Sequence, residues 1–223
     1  MRLLITGTSR GIGLELTQVA LAQNHQVFAL AREPNKSKKL CDLKEKYFNS
    51  LTFISCDLTN ETMVSQLNSE IGENTTLDIL INNAGIMRVG DSREDFMDTF
   101  LVNSYIPYLT TKVLLSNLKK SSNPKVMHIT SAMGSISENQ SGGYYTYRAS
   151  KAALNMINKS LTIDNPWLQT LVMHPGWVKT DMGGSNAPLM PEDSAKLIWE
   201  KLIQLPKSKS GCFIDCQGRE LPW

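Results

Sequence analysis

The chain lacks the features that mark a secreted, membrane or nucleic-acid-binding protein. Its four cysteines, Cys41, Cys56, Cys212 and Cys216, match no metal-ligand spacing, and the step from Cys212 to Cys216 is not CxxC. Four reduced thiols of a cytoplasmic protein are therefore expected, with no metal and no disulfide framework. No stretch reaches the ~18 consecutive apolar residues of a membrane span. No signal peptide is visible, because Met1 leads straight into a short apolar strand, so the sequons at Asn60, Asn74 and Asn158 read as chance matches. With 23 basic and 21 acidic side chains the field is nearly balanced, and nucleic-acid binding has no electrostatic support. Repeats, linkers and low-complexity segments are missing as well. A length of 223 residues fits one domain, 1–223, with an ample core.

What the chain does contain is a regular alternation. Apolar runs at 2–6, 26–31, 51–55, 78–82, 125–130, 168–174 and 211–215 predict strands. The segments 12–23, 37–47, 61–71, 94–120, 145–163 and 192–204 carry helical patterning. This order predicts an α/β fold: a single Rossmann-type, doubly wound parallel sheet of about seven strands with helices on both faces. Ligands of such sheets sit at the C-terminal ends of the strands. That edge would gather the first glycine turn, Asp57, residues 82–85, Ser131 and Pro175–Gly176.

Two local patterns carry chemistry. TGTSRGIG at 6–13 lies between the first strand and the first helix. Gly7, Gly11 and Gly13 let the backbone turn tightly, and the helix start offers free N–H groups to a pyrophosphate. Their spacing is GxxxGxG, not GxGxxG. Further along, Tyr147 and Lys151 stand four residues apart, on one face of a helix. A phenol with a pKa of roughly 10 is a poor acid or base at neutral pH, and a neighbouring cation favours its phenolate. The same spacing also occurs on plain solvated helix faces.

Taken with CDLT at 56–59, NNAG at 82–85, Asn103, Ser131, YRASK at 147–151 and HPGWVKTDM at 174–182, these patterns resemble the short-chain dehydrogenase/reductase family over nearly the whole chain. The tail, with GSI at 134–136, is most similar to the C-factor-like carbonyl reductases within it. The resemblance implies a nicotinamide cofactor held by Gly7, Ser9, Arg10, Gly11, Ile12 and Gly13 in the first turn. Asp57 and Leu58 would meet the adenine, and Asn83, Ala84 and Gly85 would border the ribose or support the sheet. Pro175, Gly176, Val178 and Thr180 would stand beside the nicotinamide, although Thr180 equally suits a cap on the following turn.

Arg10 and Arg32 are two guanidinium groups suited to a ribose 2′-phosphate, so NADP(H) is favoured over NAD(H). Glu33 opposes this, because an acid about 20 residues past the glycines accepts from the NAD 2′-hydroxyl. Arg32 as a solvated loop charge is the plainer alternative.

The same resemblance implies roles in catalysis. Ser131 would bind a substrate carbonyl, Tyr147 would exchange the proton and Lys151 would favour the phenolate and hold the nicotinamide ribose. Asn103 would hold a water linking Lys151 to solvent. Thr130 is set aside, because adjacent strand residues face opposite ways. The loop at 132–146 is long and would lend Met133, Ser135 and Ile136 to the substrate wall. The segment after Thr180 is short, which suggests an open site. Met133, Trp177 and Met182 are candidates for an apolar floor or for plain core packing.

The expected function is hydride transfer between NADP(H) and a small-molecule carbonyl or alcohol. The alternative is a C-factor-like nucleotide-binding signalling protein with little turnover, and an isomerase or dehydratase on the same scaffold stays open. The helices at 94–120 and 145–163 match those that pair subunits in many relatives, so a homodimer or homotetramer is expected unless they are buried within one chain.

Overall fold

A computed structural model describes residues 1–223. The elements run β1 (Arg2–Thr6), α1 (Gly11–Ala22), β2 (Gln26–Ala31), α2 (Lys38–Lys46), β3 (Leu51–Ser55), α3 (Glu61–Ser65), α4 (Leu67–Ile71) and β4 (Ile79–Asn82). They continue with α5 (Arg93–Phe100), α6 (Ile106–Leu118), β5 (Lys125–Ile129), α7 (Tyr145–Asp164), β6 (Gln169–His174), α8 (Pro191–Gln204) and β7 (Cys212–Asp215). The seven strands form one sheet in the order β3-β2-β1-β4-β5-β6-β7. Every neighbouring pair is parallel. The chain reverses its winding between β1 and β4, which opens a crevice at their C-terminal ends. No helix is long and apolar enough to cross a membrane.

Strand alternation divides the core into two layers. Leu3 and Ile5 of β1 face α1, α2 and α8, where Leu16, Leu40 and Trp199 pack. Leu4 faces the other way, toward Val64, Leu67, Leu114 and Leu118. A sheet covered on both faces needs strands that are apolar throughout, which is why these runs do not alternate with polar residues. At the far end of the sheet, the buried Lys125 ammonium donates to the Leu202 and Ile203 carbonyls at 2.8 and 3.2 Å. It thereby closes carbonyls that the last turn of α8 leaves open.

Two expected helices are interrupted. The 61–71 segment divides at Gln66, which has ψ −6 and joins α3 to α4. The 94–120 segment loosens into a π turn at Leu101–Tyr105, where the Ile106 N–H bonds the Leu101 carbonyl. Pro107 explains the second break. It has no N–H for the Asn103 carbonyl four residues before it, so the ladder re-forms around the gap.

Thr6 joins the crevice walls. Its buried hydroxyl accepts from the Asn83 and Ala84 N–H groups, each at 3.0 Å. The Asn83 amide returns two bonds, to the Thr6 carbonyl at 2.9 Å and the Gly7 carbonyl at 3.3 Å. Thr6→Val keeps the shape but strands two amide donors. Urea unfolding should show a loss of about 1–3 kcal/mol; an unchanged midpoint would contradict this tie.

Candidate active site

The glycine turn is built for close approach. Gly7 and Gly11 hold φ of +72 and +56, the left-handed region. A Cβ on Gly13 would lie 2.3 Å from the Gly7 carbonyl oxygen and 2.5 Å from Asn83 Nδ2, so no larger residue fits. Ile12 packs on the core beneath the turn. The helix that follows has no side-chain cap at Arg10 and no acid in its first turn. Its first N–H groups thus lack the usual capping partner, an arrangement that suits an anion.

Beside the turn lies a cleft of about 720 Å³ lined by Ser9, Arg32, Glu33, Lys36, Ser37, Asp57 and Met63. Arg10 is not among them. Its guanidinium turns across the crevice to Asp181 at 2.7 Å, both side chains largely exposed. Of the expected Arg10–Arg32 pair only Arg32 lines the cleft, where Lys36 is the second cation. Lys36 also pairs with Glu33 at 2.5 Å, both side chains being largely exposed. Ser37 donates to the Ser9 carbonyl at 2.6 Å and caps α2. Lys36 and Ser37 were missed in the sequence, although a Ser directly before a helical run is a readable cap. Hydrogen bonds from Thr59 hold the Asp57 carboxyl below its usual range. Leu58 is partly buried against the second core layer.

Across the crevice, Gly176 adopts φ +86 and a Cβ there would meet Leu189 at 2.9 Å. The Pro175 carbonyl accepts from Ser194 at 2.7 Å. Val178 is buried and bridges to Leu189. Thr180 does cap the next turn, accepting from the Gly183 N–H at 3.1 Å. Its methyl also stands 3.3 Å from where a Gly11 Cβ would be, so it faces the glycine turn as well. Trp177 and Met182 remain exposed and are not core residues.

Tyr147, Lys151 and Ser131 meet beyond the end of β5. Ser131 lies just after the strand and its hydroxyl accepts from the Met133 N–H at 3.1 Å. Thr130 points the other way, donating to Asn155 Oδ1 at 2.8 Å. Lys151 is 4% exposed, and its Nζ donates to the Ile129 carbonyl at 3.0 Å and sits 5.7 Å from the Tyr147 ring centroid. Burial pushes its pKa down to about 8, so it is still an ammonium at pH 7. Burial also raises the Tyr147 pKa above the phenol value, and hydrogen bonding with Ser131 pulls it only partly back. Desolvation is therefore the larger influence on the phenol of the cofactor-free protein. Beneath the site His128 is held neutral, its pKa driven to about 3 by burial and then by Lys151.

Asn103 occupies the π turn, with its side chain fully engaged in holding neighbours. Its Nδ2 donates to the Ile86 carbonyl at 2.8 Å and to Ser150 Oγ at 3.1 Å, while Oδ1 accepts from the Ile86 N–H at 2.8 Å. Ala84 lies against the glycine turn, its Cα 3.0 Å from where a Gly7 Cβ would be. A Cβ on Gly85 would stand 3.2 Å from Asn103 Oδ1 and 3.5 Å from Lys151 Nζ, so this strand end passes between the two. The long loop departs from expectation. Met133, Ser135 and Ile136 line a pocket of about 230 Å³ with Tyr145, Arg148, Ala149 and Ala152, on the face of α7 opposite Tyr147 and Lys151. Gly134 sends the loop there, because a Cβ would lie 2.9 Å from the Lys151 backbone.

An uncapped helix start, a polar cleft and a Ser–Tyr–Lys cluster on one edge of a parallel sheet define a dinucleotide-dependent oxidoreductase fold. A family model described as short chain dehydrogenase matches residues 2–189, and the chain belongs to the short-chain dehydrogenase/reductase family. It is 42% identical over 154 residues to the C-signal of Myxococcus xanthus, covering 66% of this chain and 93% of that protein. The carbonyl reductase Sniffer of D. melanogaster superposes with a TM-score of 0.95 at 32% identity, covering 100% of this chain and 99% of that one. An NADPH-bound carbonyl reductase from chicken fatty liver gives 0.93 at 30% identity, covering 100% and 98%.

The lowered Lys151 pKa has a signed consequence. Between about pH 8 and pH 10.5 the unfolded chain binds a proton that the folded one does not, so stability rises with pH across that window. The gain is about 3 kcal/mol at most. Urea unfolding of the cofactor-free protein should show the rise, and Lys151→Met should lack it. Parallel curves for the two proteins would contradict a desolvated ammonium.

Proposed function

We propose that residues 1–223 form one catalytic domain, an NADP(H)-dependent carbonyl reductase or alcohol dehydrogenase acting on a small-molecule carbonyl or alcohol. The observation that carries this reading is geometric: the buried Tyr147 stands one turn before the buried Lys151, whose Nζ lies 5.7 Å from its ring, at the β5 end that carries Ser131. NADPH, when bound, supplies the hydride to the carbonyl carbon. The Ser131 hydroxyl donates to the carbonyl oxygen and stabilises the charge that develops on it. Tyr147, neutral in the free site, gives its phenolic proton to that oxygen. Lys151 would hold the ribose hydroxyls, and its charge would stabilise the phenolate left behind. Asn103 keeps Ile86 and Ser150 in place, and through Ser150 the turn that carries both catalytic side chains. In the oxidative direction the proton and the hydride would both move the other way.

Cofactor choice rests on the cleft. Arg32 and Lys36 are suited to a 2′-phosphate, Ser9 and Ser37 add polar atoms, and Lys36 offsets the charge of Glu33. The NADPH-bound chicken reductase supports the same preference by similarity. Subunit pairing has support of its own in Tyr145, Met156 and Ile163, each 67% exposed along one face of α7. A homodimer or homotetramer would cover them.

The likeness to C-signal favours a second reading, a nucleotide-binding signalling protein with little turnover. The complete set of Asn103, Ser131, Tyr147 and Lys151 weighs against it, because binding alone needs no proton donor. One experiment separates the two: oxidation of NADPH, with NADH in parallel, against a panel of aldehydes, ketones and quinones. Turnover should be faster with NADPH, Tyr147→Phe should abolish it without loss of cofactor binding, and Arg32→Ala should weaken NADPH about 10–100-fold. Binding without turnover across the panel would move the assignment to signalling. Turnover by Tyr147→Phe would sink its acid/base role.

A further inference from the structure

The catalytic helix begins in an unusual way. Gly142, Gly143 and Tyr144 hold φ of +62, +66 and +51, three left-handed residues in succession. Tyr144 is then the N-cap of α7, in left-handed backbone and with no side-chain hydrogen bond to the helix. Helix N-caps ordinarily lie in the extended region and supply a side-chain oxygen. Two glycines and a half-exposed tyrosine do neither, and a left-handed non-glycine residue carries a conformational cost. A helix start of this kind frays unless something else ties it. Tyr147 is only the third residue of that helix.

The Gly142 N–H donates to Asn139 Oδ1 at 3.1 Å and the buried Thr146 hydroxyl to the Arg88 carbonyl at 3.3 Å, but the most extensive tie comes from Arg148. Its Nε donates to the Gly142 carbonyl at 3.3 Å and the Gly143 carbonyl at 3.1 Å, and its Nη2 donates to Ser141 Oγ at 2.9 Å. The Arg148 backbone N–H closes the first helical bond, to the Tyr144 carbonyl at 2.9 Å. One residue therefore grips every member of the run Ser141–Tyr144. Nothing else recommends a cation there. The start of a helix is its positive end, and no carboxylate pairs with Arg148. A flexible ammonium would not reproduce the fork that spans two carbonyls and a hydroxyl. Open space surrounds the Cβ positions of Gly142 and Gly143, so packing does not hold the run in Arg148's place.

We propose that Arg148 is a positioning residue. Its guanidinium clamps the left-handed run onto the first turn of α7 and holds the Tyr147 phenol at its place beside Ser131. The proposal rests on the acid/base reading of Tyr147, and it explains why the loop from Ser131 can be long without loosening the helix it leads into.

The test compares wild type with Arg148→Ala and Arg148→Lys by amide hydrogen exchange at residues 148–150, NADPH binding and carbonyl turnover. In Arg148→Ala, exchange at 148–150 should speed up about tenfold, while protection in the sheet stays the same. The kcat should fall about 10–100-fold, with the NADPH Kd held within about twofold. Arg148→Lys should lie between the two, and millimolar methylguanidine should restore part of both losses in Arg148→Ala. Unchanged exchange would overturn the clamp. Faster exchange with an unchanged kcat would overturn its role in positioning, as would a loss of turnover matched by an equal loss of cofactor binding and global protection. Tyr147→Phe, run in the same series, keeps the two ideas apart. Retained turnover there would contradict the acid/base reading, whereas the exchange comparison involves no turnover and judges the clamp alone.

Discussion

Lys151 carries a charge in an almost wholly buried position, and much of the site is arranged around that fact. Its ammonium has a single hydrogen-bond partner, the Ile129 carbonyl at the end of β5. Burying an ion with so little compensation costs stability, as its lowered pKa records. The neighbours fit this need. Gly85 lets the end of β4 come within reach of the ammonium, Gly134 lets the loop lie on the Lys151 backbone, and His128 stays neutral below. A group desolvated in this way acts on nearby charge far more strongly than it would in water. On the proposed reading that strength would serve the reductive direction, where the phenolate left by Tyr147 would gain a buried cation.

Holding the pair in place falls to backbone irregularities more than to regular helix. Pro107 removes the donor for the Asn103 carbonyl, and the chain answers with a π turn at Leu101–Tyr105. That turn places the Asn103 amide between Ile86, which follows the β4 end, and Ser150 on α7. Ser150 in turn donates to the Tyr147 carbonyl at 2.8 Å, and Ser104 donates to the Ser150 carbonyl at 2.8 Å. Two elements far apart in sequence are thus joined by short polar bonds in a buried setting, where such bonds are strongest.

Much of this was legible in the sequence, for reasons that can be named. The seven strands stand within a residue or so of their expected bounds, because a doubly covered sheet demands uninterrupted apolar runs. The glycine turn was legible because strand, glycines and helix have a single cheap geometry. The direction of Thr130 followed from strand alternation alone. Less legible were features set by tertiary partners. Arg10 sits inside the glycine turn but takes Asp181, a residue far along the chain, and no local pattern reveals that choice. The cleft role of Lys36 depends on how the turn after β2 folds back. The 94–120 segment kept its helical period while Pro107 broke its hydrogen-bond ladder, a conflict that periodicity cannot register. The loop after Ser131 was assigned to the substrate wall by proximity in sequence; Gly134 carries it behind α7 instead.

The central claim is that burial keeps the Tyr147 phenol protonated in the free enzyme despite Lys151 alongside. The direct measurement is a pH titration of the cofactor-free protein by NMR with 13Cζ-labelled tyrosine, the Tyr147 signal being assigned by its loss in Tyr147→Phe. The account predicts a phenol resonance that persists through neutral pH and titrates above the ordinary value near 10. A phenolate resonance at neutral pH would contradict it, and would mean that Lys151 outweighs desolvation before the cofactor arrives.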